Sequence, residues 1–257
     1  MKCSICKEEG HTKRTCKKKT IDVKVISPVK VEMTSEEYDF TISEVNSVAK
    51  SIGVKKGDGD GRFDSAIKQK PFVKKIEKIL LEKHPEWEVV VYLYRKSYHI
   101  MVNSIKFSVR ITDCKSPDNS MSKPSVYFSI TGSNNYPYSS NLNQLHDRLI
   151  DAKTKGQIKK HRDKRTELHF LVINKSTGDV LVKAIFDIYN YASNAENTLQ
   201  INWKNEFKYS EYYTEDVDYS KKVDSLMLCI QKSVKMFYAT SDKFANADLR
   251  SLITWEE

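Results

Sequence analysis

Cys3, Cys6, His11 and Cys16 follow one another at intervals that leave the start of this chain few ways to fold. Three thiolates and one imidazole spaced Cys-x2-Cys-x4-His-x4-Cys make a closed tetrahedral site for a structural Zn²⁺, and loops this short wrap the ion with almost no other core. Gly10 precedes His11, where the chain must turn sharply around the metal. The segment is also basic. Seven Lys/Arg against Glu8 and Glu9 give residues 1–20 a net +5, out of +9 for the whole 257-residue chain. A basic arm beside a metal motif points to a polyanion, and nucleic acid is the natural one. Three of the five cysteines lie in this short stretch, which indicates metal binding in a reducing, intracellular compartment and not a disulfide framework. There is no apolar run of about eighteen residues, so no membrane span is expected. The first residues hold no apolar core of a signal peptide, so no secretory signal is expected either.

The ligand spacing resembles the CCHC zinc knuckle of nucleocapsid and other single-strand-binding proteins. Knuckles that read bases place an aromatic side chain between the first two cysteines and another just after the histidine. Here those places hold Ile5 and Thr12-Lys13, so stacking is expected to be weak. Contact then falls to the phosphate ligands Lys7, Lys13, Arg14, Lys17, Lys18 and Lys19, and it is expected to be salt-sensitive and poor in sequence preference.

Residues 21–33 alternate apolar and polar side chains and read as a linker or edge strand, with Pro28 against a central strand. The remainder, residues 34–257, reads as one α/β (α+β) domain. Thr34-Ser-Glu-Glu37 is a capping box, and Ile42, Val45, Val48, Ala49 and Ile52 follow at helical spacing until Gly53. A second helix is expected over Asp64–Lys83, with Pro71 kinking it or starting its main segment. Strands are expected at Glu88–Arg95, Tyr98–Asn103, Ile105–Thr112, Val126–Thr131, His169–Asn174, Val180–Ile188 and Thr198–Trp203, from their β-branched and aromatic content. Asn103-Ser104 reads as a tight turn. Helices are expected at Asn141–Lys153 and Tyr219–Tyr238. Helices around a central mixed sheet satisfy this order.

Other clusters carry less. Lys55–Arg62 is rich in Gly and Asp, but a calcium loop begun at Asp58 would put Arg62, Phe63 and Gln69 where oxygen ligands and a glycine are needed. The six histidines form no close metal pair. The run Lys155–Arg165 holds six Lys/Arg against Asp163, and Lys159, Lys160 and Arg162 in it read either as a solvated face or as phosphate contacts.

Several pieces, in order, resemble bacterial type II restriction endonucleases of the PD-(D/E)xK fold. They are Gly59-Asp-Gly-Arg62-x-x-Ser65, the stretch Tyr98–Thr112, Asp118-Asn119 with Met121-Ser-Lys123 and Val126–Gly132, and Asn197–Trp203 followed by the terminal helix. The resemblance implies a restriction-endonuclease-like sheet and a DNA-binding cleft, with Arg62 among the contacts. It also implies a Mg²⁺ centre in which carboxylates hold the metal and a lysine steadies the developing charge. Carried over position by position, the helix glutamate falls on Gln69, the first-strand acid on His99, and the D/E-x-K triplet on Ser108-Val109-Arg110. No carboxylate remains, and lysine has become arginine, so Mg²⁺ has no hard oxygen cage. Arg110 keeps its charge and is expected to hold a phosphate. Asp113-Cys114-Lys115 is a D-x-K triplet just downstream. Its strand parity is wrong relative to Ser108 and Arg110 unless a bulge intervenes.

Together these features read as a zinc-dependent nucleic-acid-binding protein, DNA ahead of RNA, with a nuclease-like domain that binds without cutting. A symmetric dimer is expected, because type II relatives pair on palindromic sites. A knuckle joined to a bacterial-type domain suggests the nucleus or cytoplasm of a eukaryotic or large-DNA-virus host. The alternatives are a Mg²⁺-dependent endonuclease using Asp113 and Lys115, and a structural genome-packaging nucleoprotein. The zinc reading predicts one Zn²⁺ per chain on Cys3, Cys6, His11 and Cys16, with Cys114 and Cys229 uninvolved. Metal analysis of a Cys3→Ser, Cys16→Ser variant should find the zinc gone, and full occupancy would refute the ligand set.

Overall fold

The structure, a computed structural model, describes residues 33–54, 61–92, 97–136, 142–189, 191–195, 199–209 and 218–240, without the side chains of 61–64, 66, 142, 143 and 240. The zinc ligands, the basic arm, the linker, Asp58 and Asp60 lie outside the described residues, as do the side chains of Arg62 and Asp64. By internal contacts the chain divides into Met1–Thr34 and Ser35–Glu257, and all the helices and strands described belong to the second unit.

Two helices lead. α1 (Ser35–Ile52) opens with Glu36 and Glu37, which favour the positive end of the helix dipole, and buries Thr41, Val45, Val48 and Ala49. α2 (Gly61–Lys83) buries Phe72, Val73, Ile76 and Leu80. Pro71 sits inside α2 on its exposed side, and the helix runs on through it.

Strands β1 (Val89–Val91), β2 (Ile100–Val102) and β3 (Ile105–Thr112) follow as an antiparallel meander. Asn103 and Ser104 join β2 to β3 as a two-residue turn with φ of 46° and 72°. Two left-handed residues in succession match the right-handed twist of the paired strands, and Asn tolerates that backbone well. β4 (Asp118–Met121), α3 (Lys123–Thr131) and α4 (Leu142–Thr154) then form the crossover to β5 (Leu168–Asn174). β5 lies parallel to β3, with Ser108 opposite Phe170 and Arg110 opposite Val172. β6 (Val180–Ala184) completes a five-stranded mixed sheet ordered β1-β2-β3-β5-β6. A second, antiparallel sheet ordered β4-β8-β7 comprises β4, β7 (Tyr191–Ala192) and β8 (Leu199–Ile201). α5 (Trp203–Lys208) and α6 (Tyr219–Thr240) end the described chain.

Alternation divides β3 between two layers. Phe107 and its parallel partner His169 share one face, and Tyr38 of α1 donates to or accepts from His169 Nε2 at 2.7 Å there. α2 packs on β3 and β1, and α1 packs on α2 and β6. The other face of β5 (Leu168, Phe170, Val172) joins a large core with Phe186, Trp203, Leu226 and Ile230. Trp203 is fully buried against Phe170, and its Nε1 donates to Ser120 Oγ at 2.6 Å. The result is a mixed α/β unit whose central mixed sheet is flanked by helices. Among the described residues no helix is long and apolar enough to cross a membrane.

Three expectations are corrected. Val126–Thr131 is helix, not strand. Ser122 caps α3 by accepting from Ser125 N–H, Pro124 stands in the first turn, and Gly132 ends the helix at φ 77° with its N–H on the Phe128 carbonyl. Residues 125–130 are all buried, so this helix has no polar face and its β-branched content reads as a strand. The strand expected over Val180–Ile188 stops at Ala184, where a 3₁₀ turn Ile185–Asp187 takes over. Trp203, expected to end a strand, begins α5 under the Asn202 cap.

The α3 caps give a stability test. Ser122→Ala should cost about 1 kcal/mol. Gly132→Ala should cost at least as much, because a left-handed residue would gain a Cβ 3.0 Å from Lys159 Cε. Urea unfolding of the two variants measures both, and no loss in either would contradict the capping account.

Candidate functional site

β2 pairs with β3 only over Ile105–Phe107, so the edge of β3 is open beyond that point. The open edge leaves the N–H and C=O of Val109 without a strand partner, and buried backbone groups must be paired. Two side chains take the strand's place. His99 Nδ1 accepts the Val109 N–H at 3.0 Å, and Gln69 Nε2, from α2, donates to the Val109 carbonyl. Accepting at Nδ1 places the imidazole proton on Nε2 and requires the neutral ring. Burial first, and the neighbouring Arg110 charge second, push the His99 pKa down to about 3.

Ser108 and Arg110 flank Val109 on the opposite layer of β3. Ser108 is fully buried, and its Oγ has no partner among the described residues. Arg110 Nη2 donates to the Ser120 carbonyl at 2.6 Å, while its enclosed Nε bonds to nothing among the described residues. Burial lowers the Arg110 pKa and Asp118 pulls it back, but a guanidinium stays charged. Gln69, His99, Ser108 and Arg110 therefore gather around one residue. None is a carboxylate, and three, His99, Gln69 and Arg110, bond to backbone.

Past Thr112 the strand breaks. Cys114 takes φ 57°, a left-handed conformation unusual for a residue with a side chain. Its N–H bonds Thr112 Oγ1, and Asp113 Oδ1 accepts the Lys115 N–H, both at 3.1 Å. Strict alternation would send Asp113 and Lys115 away from Arg110. β3 ends at Thr112, so alternation no longer governs them, and all three line one pocket of about 460 Å³. Asp118, Asn119 and Gln200 contribute from the small sheet, and Ser65 and Gln69 from α2. Burial, then Asp118 and Asp113, push the Cys114 thiol up to about 12, so it is no thiolate. Ser65 is anchored by Lys175, whose Nζ donates to Ser65 Oγ at 3.0 Å and whose N–H holds the Thr112 carbonyl at 2.9 Å. Among the described residues there is no group of three or more His, Cys, Asp or Glu able to hold a metal.

The basic run places its charges unequally. Arg162 donates to Glu167 at 2.8 Å and to Asp187 at 2.6 Å. Burial opposes its charge, and those two acids more than restore it. Lys159 lies under Phe128, donates to the Thr166 carbonyl at 3.2 Å, and has its pKa lowered by burial. Lys160 alone of the three is exposed. Sequence does not single out Asp118, Lys175 or Gln200 as site residues. Asp118 stands within a family motif, whereas nothing local marks Lys175 or Gln200.

His99 supplies a pH test. The unfolded chain protonates an ordinary histidine near 6.5, while the folded ring resists until about 3. Its contribution to stability is complete above 6.5 and drains away as pH falls toward 3. His169, pushed down to about 4, acts in the same direction. His99→Gln should therefore take up roughly one proton fewer on unfolding between about pH 4 and 6. Urea midpoints across that range measure this, and an unchanged pH slope would contradict the neutral Nδ1 acceptor. No family model and no curated protein matches the chain, so the chemistry of these side chains carries the functional argument.

Proposed function

We propose that this protein binds nucleic acid, duplex DNA ahead of RNA, mainly through phosphates, and that the centre around Val109 holds DNA without cutting it. The observation that carries the reading is the engagement of His99 and Gln69 by the Val109 backbone. An imidazole that must stay neutral and an amide tied to a carbonyl leave no carboxylate oxygens at the positions where the resemblance implies them. Mg²⁺ takes carboxylate and water oxygens in near-octahedral geometry, and these four side chains do not fit it. Arg110 is what remains for a phosphate. The order α2, β2–β3 hairpin, parallel β5 supports a restriction-endonuclease-like domain, and the Cys3, Cys6, His11, Cys16 spacing supports a zinc knuckle before it. A symmetric dimer on a palindromic duplex belongs to the same reading.

The left-handed turn at Cys114 favours a second reading, an endonuclease centred on the pocket itself. Asp113 and Asp118 are the carboxylates that would hold Mg²⁺ there, and the ion would supply Lewis-acid stabilisation and a more acidic water. Lys115 and Arg110 would bind the phosphate.

One experiment separates the two readings. The full chain is titrated onto fluorescent duplex DNA and, in parallel, incubated with supercoiled plasmid in Mg²⁺ or Mn²⁺. Saturable binding with intact plasmid is the expected result. Cleavage abolished by Asp113→Asn and by Asp118→Asn would establish the second reading, and no binding would remove both.

A further inference from the structure

α2 has two sides of very different chemistry. Its inner side, Phe72, Val73, Ile76 and Leu80, is buried against the sheet. Its outer side carries Lys68, Lys70, Lys74, Lys75 and Lys78 within three turns, with Glu77 the only acid between them. Lys70, Lys74, Lys75 and Lys78 are exposed, and Lys68 is half-buried. Lys74 and Lys75 have no ion pair among the described residues, and Lys78 meets Glu82 only at 3.7 Å in open solvent, a contact of little strength. Ile67, 57% exposed, and the exposed Pro71 lie on this same side.

A basic helix face is often simply solvated, but two observations argue against that here. Surfaces that only keep a protein soluble intersperse both signs of charge. Here the signs are sorted: α1, packed beside α2, carries Glu36, Glu37, Asp39 and Glu44 against Lys50. The second observation is spacing along the outer side of the helix. Lys70, Lys74 and Lys78 recur every four residues, a rise of about 6 Å each. From Lys68 to Lys78 the face covers about 15 Å, roughly four phosphates of one strand at 3.4 Å of axis each.

We infer that the outer face of α2, Lys68 to Lys78, is the principal phosphate-contacting surface of the Ser35–Glu257 unit, with one strand of a duplex lying along it. This rests on the duplex-binding reading above and names the surface that performs it. It moves the weight away from Lys159 and Arg162, whose charges are engaged within the protein.

The test uses the full chain and a fluorescent duplex at several salt concentrations. Lys70→Gln, Lys74→Gln, Lys75→Gln is compared with Lys50→Gln, Lys153→Gln, Lys155→Gln, three exposed lysines outside α2. Each variant takes the net charge from +9 to +6, so only the place of the change differs. Every phosphate that is no longer neutralised flattens the slope of log K against log salt by about 0.9. The α2 variant should lose roughly 2 to 3 from that slope and at least tenfold in affinity at low salt, whereas the control should lose less than about 1 from the slope. Equal losses in both variants, or an unchanged slope in the α2 variant, would overturn the inference while leaving duplex binding in place. If the unmodified chain binds no duplex, the functional reading fails first and this surface goes with it. Thermal unfolding of all three chains confirms that the exposed substitutions leave the fold intact.

Discussion

A single peptide unit organises the candidate site. β2 parts from β3 after Phe107, and the N–H and C=O of Val109 are left facing a helix where a neighbouring strand would have been. A buried peptide group without a partner costs about 1–3 kcal/mol, so something polar must reach each side of it. His99 reaches the N–H and Gln69 the carbonyl. The Gln69 bond ties α2 to the open edge of the sheet, and the two bonds together close that edge against pairing with another strand. They also set the chemistry of the site. A carboxylate could not donate to the Val109 carbonyl, and a protonated imidazole could not accept the Val109 N–H. The residues that suit the backbone are thus the residues that make the centre unfit for Mg²⁺.

Neighbouring interactions hold the arrangement from the other layer. Arg110 and Trp203 both meet Ser120, one at its carbonyl and the other at its hydroxyl, which ties β3 to the small sheet and the small sheet to the core. Lys175 fastens the start of α2 to the end of β3 through Ser65 and Thr112. The pocket therefore sits among three elements whose relative positions are fixed by charged or aromatic side chains, and not by apolar burial alone. Arg162 with Glu167 and Asp187, and Lys183 with Glu206, show the same habit deeper in the unit. Buried pairs of this kind add little net stability over apolar residues, but breaking one leaves an uncompensated charge.

Much of the helix and strand order is legible along the chain because its physics is local. The capping box and apolar spacing before Gly53 mark α1, and the β-branched run Ile105–Thr112 marks β3. Asn103-Ser104 announces its turn because few residues tolerate two left-handed positions in a row. α3 reads wrongly as a strand because a helix buried on every side shows no period. Its Ser122 and Gly132 caps are the better signal. Of the site, the grouping of Ser108 with Arg110 follows from strand parity, and the nearness of His99 follows from the hairpin.

The rest of the site depends on contacts between residues far apart in the chain. Asp113 and Lys115 have the wrong parity for a continuing strand, but β3 ends at Thr112 and the chain turns at Cys114, a choice that no propensity of cysteine foretells. Which lysines of a basic chain remain in water is settled by where acids come to rest. Arg162 finds Asp187 far along the chain, while Lys74 and Lys75 have no ion pair among the described residues. Ligand spacing, periodicity and parity are properties of neighbouring residues and can be read from the sequence. Pairing of a charge or of a peptide group depends on what the fold brings beside it, because a polar group takes whichever partner spares it the cost of leaving water.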